Sequence, residues 1–180
     1  AGLYVYDLSG SLKWKADLGT MDKAGLGPGT SPLLYKALVI LQCDQEMGHG
    51  SFIVALDRVT GREVWRASRT TRRSWATPIV VNAGGRDELI ASGAEMVVAY
   101  DPSTGKELWT APGTVSHPIP STVTGKGLVF ATAGSQAKVV LALRPGPLDT
   151  DAAGRVAWKY NKGAAYVTSP NFYQDNQSLV

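Results

Sequence analysis

The sequence has little of what several protein classes require. It contains a single cysteine, Cys43, so no internal disulfide can form and cysteine usage does not identify the redox compartment. Charged residues make up only 18% of the chain and the net charge is +3, which is too weakly basic to imply a nucleic-acid partner. No run of roughly 18 apolar residues occurs, which excludes a transmembrane helix. No segment shows a sustained helical period either.

What the sequence does have is a repeat. ALDRVTGREVW at 55–65 and AYDPSTGKELW at 99–109 agree at six of eleven positions. In four places a glycine precedes a tryptophan by four residues, and the tryptophans at 14, 65, 109 and 158 are separated by 51, 44 and 49 residues. A period of this length with strand-like segments inside it is typical of β-propeller blades.

Each unit between the tryptophans contains four short runs of β-branched and aliphatic residues, bounded by Gly, Asn, Asp or Pro. We therefore predict an all-β protein, a β-propeller of four-stranded antiparallel blades. The expected full blades are 30–68, 74–112 and 117–161, with a half blade at 1–18 and the start of a further blade at 167–180. We expect part of a longer propeller. The alternative is a closed four-bladed ring in which the two terminal segments share one sheet.

The first strand of each unit opens at a proline. Pro32, Pro78 and Pro120 occupy this place, and proline suits the first residue of an edge strand because it lacks an amide donor. In a propeller the first strand is the innermost one, so we expect these three prolines near the central axis.

The turn before the fourth strand also follows a pattern. Gly61 and Gly105 stand where a tight turn needs a positive φ, and Asp57 and Asp101 can accept hydrogen bonds from the turn amides. The tryptophan that follows each turn then lies on the outermost strand. We expect its ring to be buried against the neighbouring blade.

The Ala-x-Asp-x-x-Thr-Gly-x-x-x-Trp stretches at 55–65 and 99–109, and the strand openings TSPLL, ATPIVV and TSPNF, resemble the pyrroloquinoline-quinone-type repeat propellers. That family includes quinoprotein alcohol dehydrogenases and a propeller lipoprotein of the bacterial outer-membrane assembly machinery. The resemblance implies a seven- or eight-bladed ring and an extracytoplasmic location in a bacterium. It also implies that Trp14, Trp65, Trp109 and Trp158 each dock onto the adjacent blade.

Fold alone does not fix activity. The family's enzymes are typified by a Ca²⁺ near the quinone, an aspartate base and an adjacent pair of cysteines. This sequence has one cysteine, and none of its residues can be matched to the metal or base positions. We therefore expect a non-catalytic member without a cofactor. One alternative is part of a quinone- and calcium-dependent dehydrogenase. Another is a polysaccharide-binding module with Trp75 and Tyr35 as aromatic platforms.

The alternating strand direction places the loop at 43–51 and the connection at 66–75 on the same face. We predict that His49, Arg72, Arg73, Trp75 and His117 form a binding face for a protein or peptide, with no catalytic or metal-binding residues. Arginine and aromatic side chains supply much of the binding energy at protein interfaces. A second interpretation is a solvated connection whose arginines pair with nearby acids such as Asp44 and Glu46. Only Trp75 is interleaved with the arginines, which argues against a nucleic-acid track.

Overall fold

The computed structural model describes residues 1–21, 27, 29–135, 137–173 and 178–179. These residues form short strands and one turn of 3₁₀ helix at Ala153–Arg155. The strands are β1 (Gly2–Tyr6), β2 (Leu12–Asp17), β3 (Leu33–Tyr35), β4 (Leu38–Cys43), β5 (Phe52–Asp57), β6 (Glu63–Ser68), β7 (Ile79–Ala83), β8 (Arg86–Ser92), β9 (Met96–Tyr100), β10 (Glu107–Pro112), β11 (Val123–Gly125), β12 (Leu128–Ala133), β13 (Val139–Leu143), β14 (Val156–Tyr160), β15 (Phe172–Tyr173) and β16 (Ser178–Leu179).

Within each sheet, consecutive strands pair with each other, always antiparallel. They form a first unit (β3–β6), a second unit (β7–β10) and a third unit (β11–β14), flanked by the two-stranded sheets β1–β2 and β15–β16. The prediction of an all-β protein with four-stranded antiparallel units is confirmed. Of the expected further blade at 167–180, residues 174–177 and 180 lie outside the described residues.

Burial explains the composition of the strands. The middle strands are buried on both sides, as in β5 with its sequence FIVALD, so they are almost continuously apolar. Outer strands such as β6 alternate, and within β6 only Trp65 is buried. Apolar side chains of adjacent sheets meet face to face: Ile40 and Ile53 of the first unit share a core with Leu89 of the second. The hydrophobic effect therefore holds the sheets together in sequence order.

The segments that precede the first strands touch across neighbouring units. The amide of Ser31, just before Pro32, donates to Oγ1 of Thr77 at 3.1 Å. The amide of Ser121, which follows Pro120, donates to Oγ of Ser169 at 2.9 Å. The first strands thus begin side by side at one edge of the stacked sheets, as the inner edge of a ring requires.

Two tryptophans contact the Thr-Gly turn of the following unit. The indole N–H of Trp14 donates to the carbonyl of Arg58 at 3.0 Å, and that of Trp65 donates to the carbonyl of Pro102 at 3.1 Å. Gly61 and Gly105, with φ of 71° and 72°, lie directly under these rings. A Cβ on either glycine would come within 2.5 Å of a ring carbon. Glycine therefore satisfies both the turn conformation and the space beneath the ring.

The junction between the second and third units is built differently. The turn at 144–155 lacks the Asp-x-x-Thr-Gly pattern, and Trp109 instead donates to Oε2 of Glu88, within its own sheet, at 2.8 Å. The Arg155 guanidinium lies 4.5 Å from the centre of the Trp109 ring and donates to the Gly146 carbonyl at 2.9 Å. An arginine thus covers the ring where a glycine turn does so at the other junctions.

The expectation that Trp158 is buried is wrong. It lies on the outer strand β14, as predicted, but its exposed fraction is 43%, against 7% for Trp109. Its ring contacts Phe130 of its own unit at a centroid distance of 5.8 Å. Among the described residues beyond β14 there is no Thr-Gly turn to cover the other side of the ring.

Candidate functional site

The structure brings the predicted binding residues to one side of the molecule. We call this side, formed by residues 44–51, 69–78, 93–95 and 113–122, the loop face. Arg72, Arg73 and His117 line a depression of about 250 Å³. His49 and Arg72 line a second depression of about 340 Å³. Trp75 and Arg73 line a third, smaller one. Arg72 and Arg73 connect these depressions.

A buried ion pair underlies the loop face. Nε of Arg69 donates to Oδ1 of Asp44 at 2.8 Å, and both side chains are almost completely buried. Arg69 also donates to the Tyr100 hydroxyl at 3.1 Å, and Gln42 donates to Oδ2 of Asp44 at 2.7 Å and to the Ser92 carbonyl at 2.9 Å. Because Ser92 and Tyr100 belong to the second unit, this network joins two units. Arg69 is consequently part of the framework and not of the accessible surface.

Arg73, Trp75 and His117 form a stack beside this network. Arg73 pairs with Glu46, and its guanidinium lies 5.5 Å from the centre of the Trp75 ring. The Trp75 and His117 rings are stacked, with centroids 6.0 Å apart and planes 12° from parallel. The Trp75 indole N–H donates to the carbonyl of Gly27 at 2.9 Å. Two of the predicted residues are therefore held by ring contacts, which limits their conformational freedom.

Burial and the positive charge of Arg73 lower the pKa of His117 below the ordinary value of 6.5. Both effects disfavour the imidazolium ion. The imidazole is therefore neutral at pH 7 and contributes a ring face, not a charge.

Backbone hydrogen bonds fix the connections that carry these side chains. The amide of Trp75 donates to the Pro118 carbonyl at 2.8 Å, and the amide of Gly134 donates to the His117 carbonyl at 3.3 Å. His117 itself has a φ of 62°, a left-handed conformation uncommon for a residue with a side chain. The connection at 113–118 thus links all three units across the loop face.

Arg72 differs from the other arginines of this region. Arg66 pairs with Glu63 and lies 3.9 Å from the centre of the Phe52 ring. Arg69 and Arg73 have the acidic partners that the second interpretation expected. Arg72 is exposed and has no acidic partner among the residues that the structure describes. It is the cation of this region that remains available to a ligand.

Sequence reasoning missed Ala94 and Glu95, which line both larger depressions. They form the tight turn between β8 and β9, where Glu95 has a φ of 75°. No motif marks this turn. The alternation of strand direction, which placed the other loops, could have located it on the same face.

In the described part of the chain, no three His, Cys, Asp or Glu side chains stand close enough to hold a metal ion. Burial raises the pKa of the Cys43 thiol to about 12, so this thiol stays protonated at neutral pH. We find no helix in the described residues that is long and apolar enough to cross a membrane.

Comparison with known proteins agrees with the architecture. A family model described as outer membrane protein assembly factor BamB matches residues 49–179. The crystal structure of BamB from Moraxella catarrhalis is similar, with 16% sequence identity and a TM-score of 0.54 over 89% of this chain. This chain spans 58% of that protein. No curated protein sequence matches the chain.

Quinoprotein dehydrogenases share the fold. Quinohemoprotein alcohol dehydrogenase ADHIIG from Pseudomonas putida HK5 has 18% identity and a TM-score of 0.50, over 75% of this chain and 20% of that protein. A europium-containing methanol dehydrogenase has 16% identity and a TM-score of 0.50, over 81% of this chain and 27% of that protein. At these identities the similarity shows the fold and not the activity. By its four-stranded units and its match to the family model, the chain belongs to the quinoprotein-type repeat β-propellers, in the family described as outer membrane protein assembly factor BamB.

Proposed function

We propose that this propeller is a non-catalytic scaffold that binds an acidic segment of a protein or peptide through the loop face. His49, Arg72, Arg73, Trp75 and His117 are the contact residues of this proposal. The description of the family as an assembly factor supports a protein partner and an extracytoplasmic location.

The observation that carries the proposal is the position of Arg72. Its side chain is exposed between two depressions and has no acidic partner among the described residues, while the Arg69–Asp44 pair fixes the backbone beneath it. An arginine held at the junction of concave surfaces can form two parallel hydrogen bonds to a carboxylate. The neighbouring Trp75–His117 stack supplies rigid apolar area, which is what interface anchors require.

The aromatic residues do not favour a polysaccharide. Trp75 is stacked on His117, and Tyr35 donates to Oδ2 of Asp87 at 2.8 Å. Tyr35 ends β3 and therefore lies at the opposite end of the strands from the loop face. The two rings cannot form one platform for a sugar chain.

The tryptophans have a separate role in this proposal. We propose that Trp14, Trp65 and Trp109 dock neighbouring units onto each other through the contacts described above. The surfaces that contact these rings are the glycine turns for Trp14 and Trp65, and Arg155 for Trp109.

The test is the double variant R72A/R73A, with R62A/K106A as a control of equal charge on the Thr-Gly turns. The probe is a fluorescein-labelled peptide of alternating glutamate and valine, and fluorescence anisotropy reports binding. R72A/R73A should weaken binding by roughly 1–3 kcal/mol at low salt and by less at high salt, because salt screens exposed charges. Circular dichroism checks that both variants fold. Normal binding by R72A/R73A together with loss in the control would place the binding face on the Thr-Gly turns.

A further inference from the structure

A further depression, of about 400 Å³, lies between the connection at 113–122 and the third unit. Val115 from the connection at 113–122 forms one wall, and Ala137 and Lys138 from the β12–β13 loop form another. Lys159 of β14 and Asn161 complete it. We call this depression the lysine cleft. Its loops correspond to those that surround Arg72 one junction earlier, so it opens on the same side of the molecule.

The floor of the lysine cleft is rigid. Val115 packs against the core cluster that contains Leu141 and Val139. The β12–β13 loop is tied to the connection by the bond from the Gly134 amide to the His117 carbonyl, 3.3 Å long. Gly134 has a φ of 122°, and a Cβ there would overlap the carbonyl oxygen of Ala137. Gly134 therefore lies close to both Ala137 and the connection at 113–122.

The charge of the cleft is uncompensated. Lys138 and Lys159 are both exposed, and neither has an acidic partner within the part of the chain that the structure describes. Two ammonium groups over an apolar floor of Val115 and Ala137 match a ligand with a negative end and an aliphatic stem. The side-chain amide of Asn161 adds a hydrogen-bond donor. Of the described residues that line the cleft, none is aromatic, so they offer the bases of a single-stranded nucleic acid no ring to stack on.

We propose that the lysine cleft is a second anion-binding site, which takes a glutamate or aspartate side chain of the same acidic peptide that contacts Arg72. The inference rests on the proposed function of the loop face. The connection at 113–118 separates the two sites: Ser116 and His117 line the depression beside Arg72, and Val115 lines the lysine cleft. A peptide that crosses this connection reaches both.

The experiment measures binding of the labelled glutamate–valine peptide to the 180-residue chain and to K138A/K159A. K138A/K159A should bind the peptide more weakly by about tenfold or more at low salt. The loss of affinity should be smaller at about 0.5 M NaCl. K138R/K159R keeps both charges and should bind the peptide about as tightly as the unaltered chain. K106A/K126A, which removes two lysines from the opposite turns, should bind as the unaltered chain does. The same peptide with glutamine in place of glutamate should not bind.

The outcomes separate this inference from the proposed function. If K138A/K159A binds normally while R72A/R73A does not, the lysine cleft is not part of the site and the loop face still stands. If neither K138A/K159A nor R72A/R73A weakens binding of the peptide, both proposals fail. A heparin fragment or a DNA oligonucleotide that binds more tightly than the peptide, with the same dependence on Lys138 and Lys159, would overturn the assignment to an acidic peptide.

Discussion

At the residue scale, two contributions of Gly105 to stability can be measured separately. One is its contact with the Trp65 ring and the other is its positive φ in the turn. Gly105 and Gly127 have nearly equal φ angles, 72° and 73°, but of the two only Gly105 lies against a ring, that of Trp65. G127A should cost roughly 1 kcal/mol, from the left-handed conformation alone. G105A should cost about 1–3 kcal/mol more, because the added methyl group displaces the Trp65 ring. Urea denaturation measures both variants. Equal losses would show that the ring contributes nothing at this turn.

The difference between buried and exposed tryptophans gives a second test. Trp65 has an exposed fraction of 8% and Trp158 of 43%. W65A should lower the free energy of unfolding by about 3–5 kcal/mol, since a large buried side chain leaves a cavity between two units. W158A should lower it by about 1 kcal/mol. Chemical denaturation followed by fluorescence compares the two. A larger loss in W158A than in W65A would contradict the docking proposal.

At the scale of elements, the Asp57 turn gives stability that depends on pH. Hydrogen bonds from the Thr60 amide and hydroxyl, at 2.7 and 2.8 Å, lower the pKa of Asp57 below its ordinary value of 3.8. A carboxylate with a lowered pKa stabilises the fold above the unfolded pKa, and this contribution is lost as the pH falls through the folded pKa.

The variant D57N keeps an acceptor oxygen but removes the charge. It should have a lower denaturation midpoint than the unaltered chain at about pH 6, because charge-assisted hydrogen bonds are the stronger ones. The difference should shrink as the pH falls from the ordinary aspartate pKa of about 4 through the lowered pKa of folded Asp57. Midpoints measured across this range test the claim. A difference that stays constant with pH would mean that the charge of Asp57 does not act through the turn.

A structural feature could be predicted from the sequence where residues close together in the chain determine it. The Thr60-Gly61 and Thr104-Gly105 turns were predictable because a positive φ favours glycine. The contact between Arg155 and Trp109 was not predictable, since it joins residues 46 positions apart with no motif between them. The burial of Trp158 was predicted wrongly because burial depends on what the next unit places over the ring.

The candidate site, too, was predictable in part. Alternating strand direction was enough to bring Arg72, Arg73 and His117 to one side. The partners of the arginines were not predictable one by one: Arg69 and Arg73 find Asp44 and Glu46, while Arg72 does not pair within the described residues. These pairings depend on side-chain packing between units, which sequence spacing does not encode.

At the scale of the whole molecule, the stacked units present two different faces. The turn face carries the compact Asp-x-x-Thr-Gly turns of the first and second units, in which Asp57 and Asp101 accept hydrogen bonds from the turn amides. The loop face carries the depressions around Arg72 and the ring stack, and Arg72 has no acidic partner among the described residues. This division follows from the repeat, because the turns between third and fourth strands lie at one end of every unit and the connections between units lie at the other.

The central claim is that partners bind at the loop face, and hydrogen–deuterium exchange with the glutamate–valine peptide tests it most directly. The account predicts slower exchange on peptide addition in segments 46–49, 70–75, 94–95 and 115–117, where the depressions lie. It predicts no change at 58–62 and 102–106, the Thr-Gly turns. Protection confined to those turns, with unchanged exchange around Arg72 and His117, would contradict it.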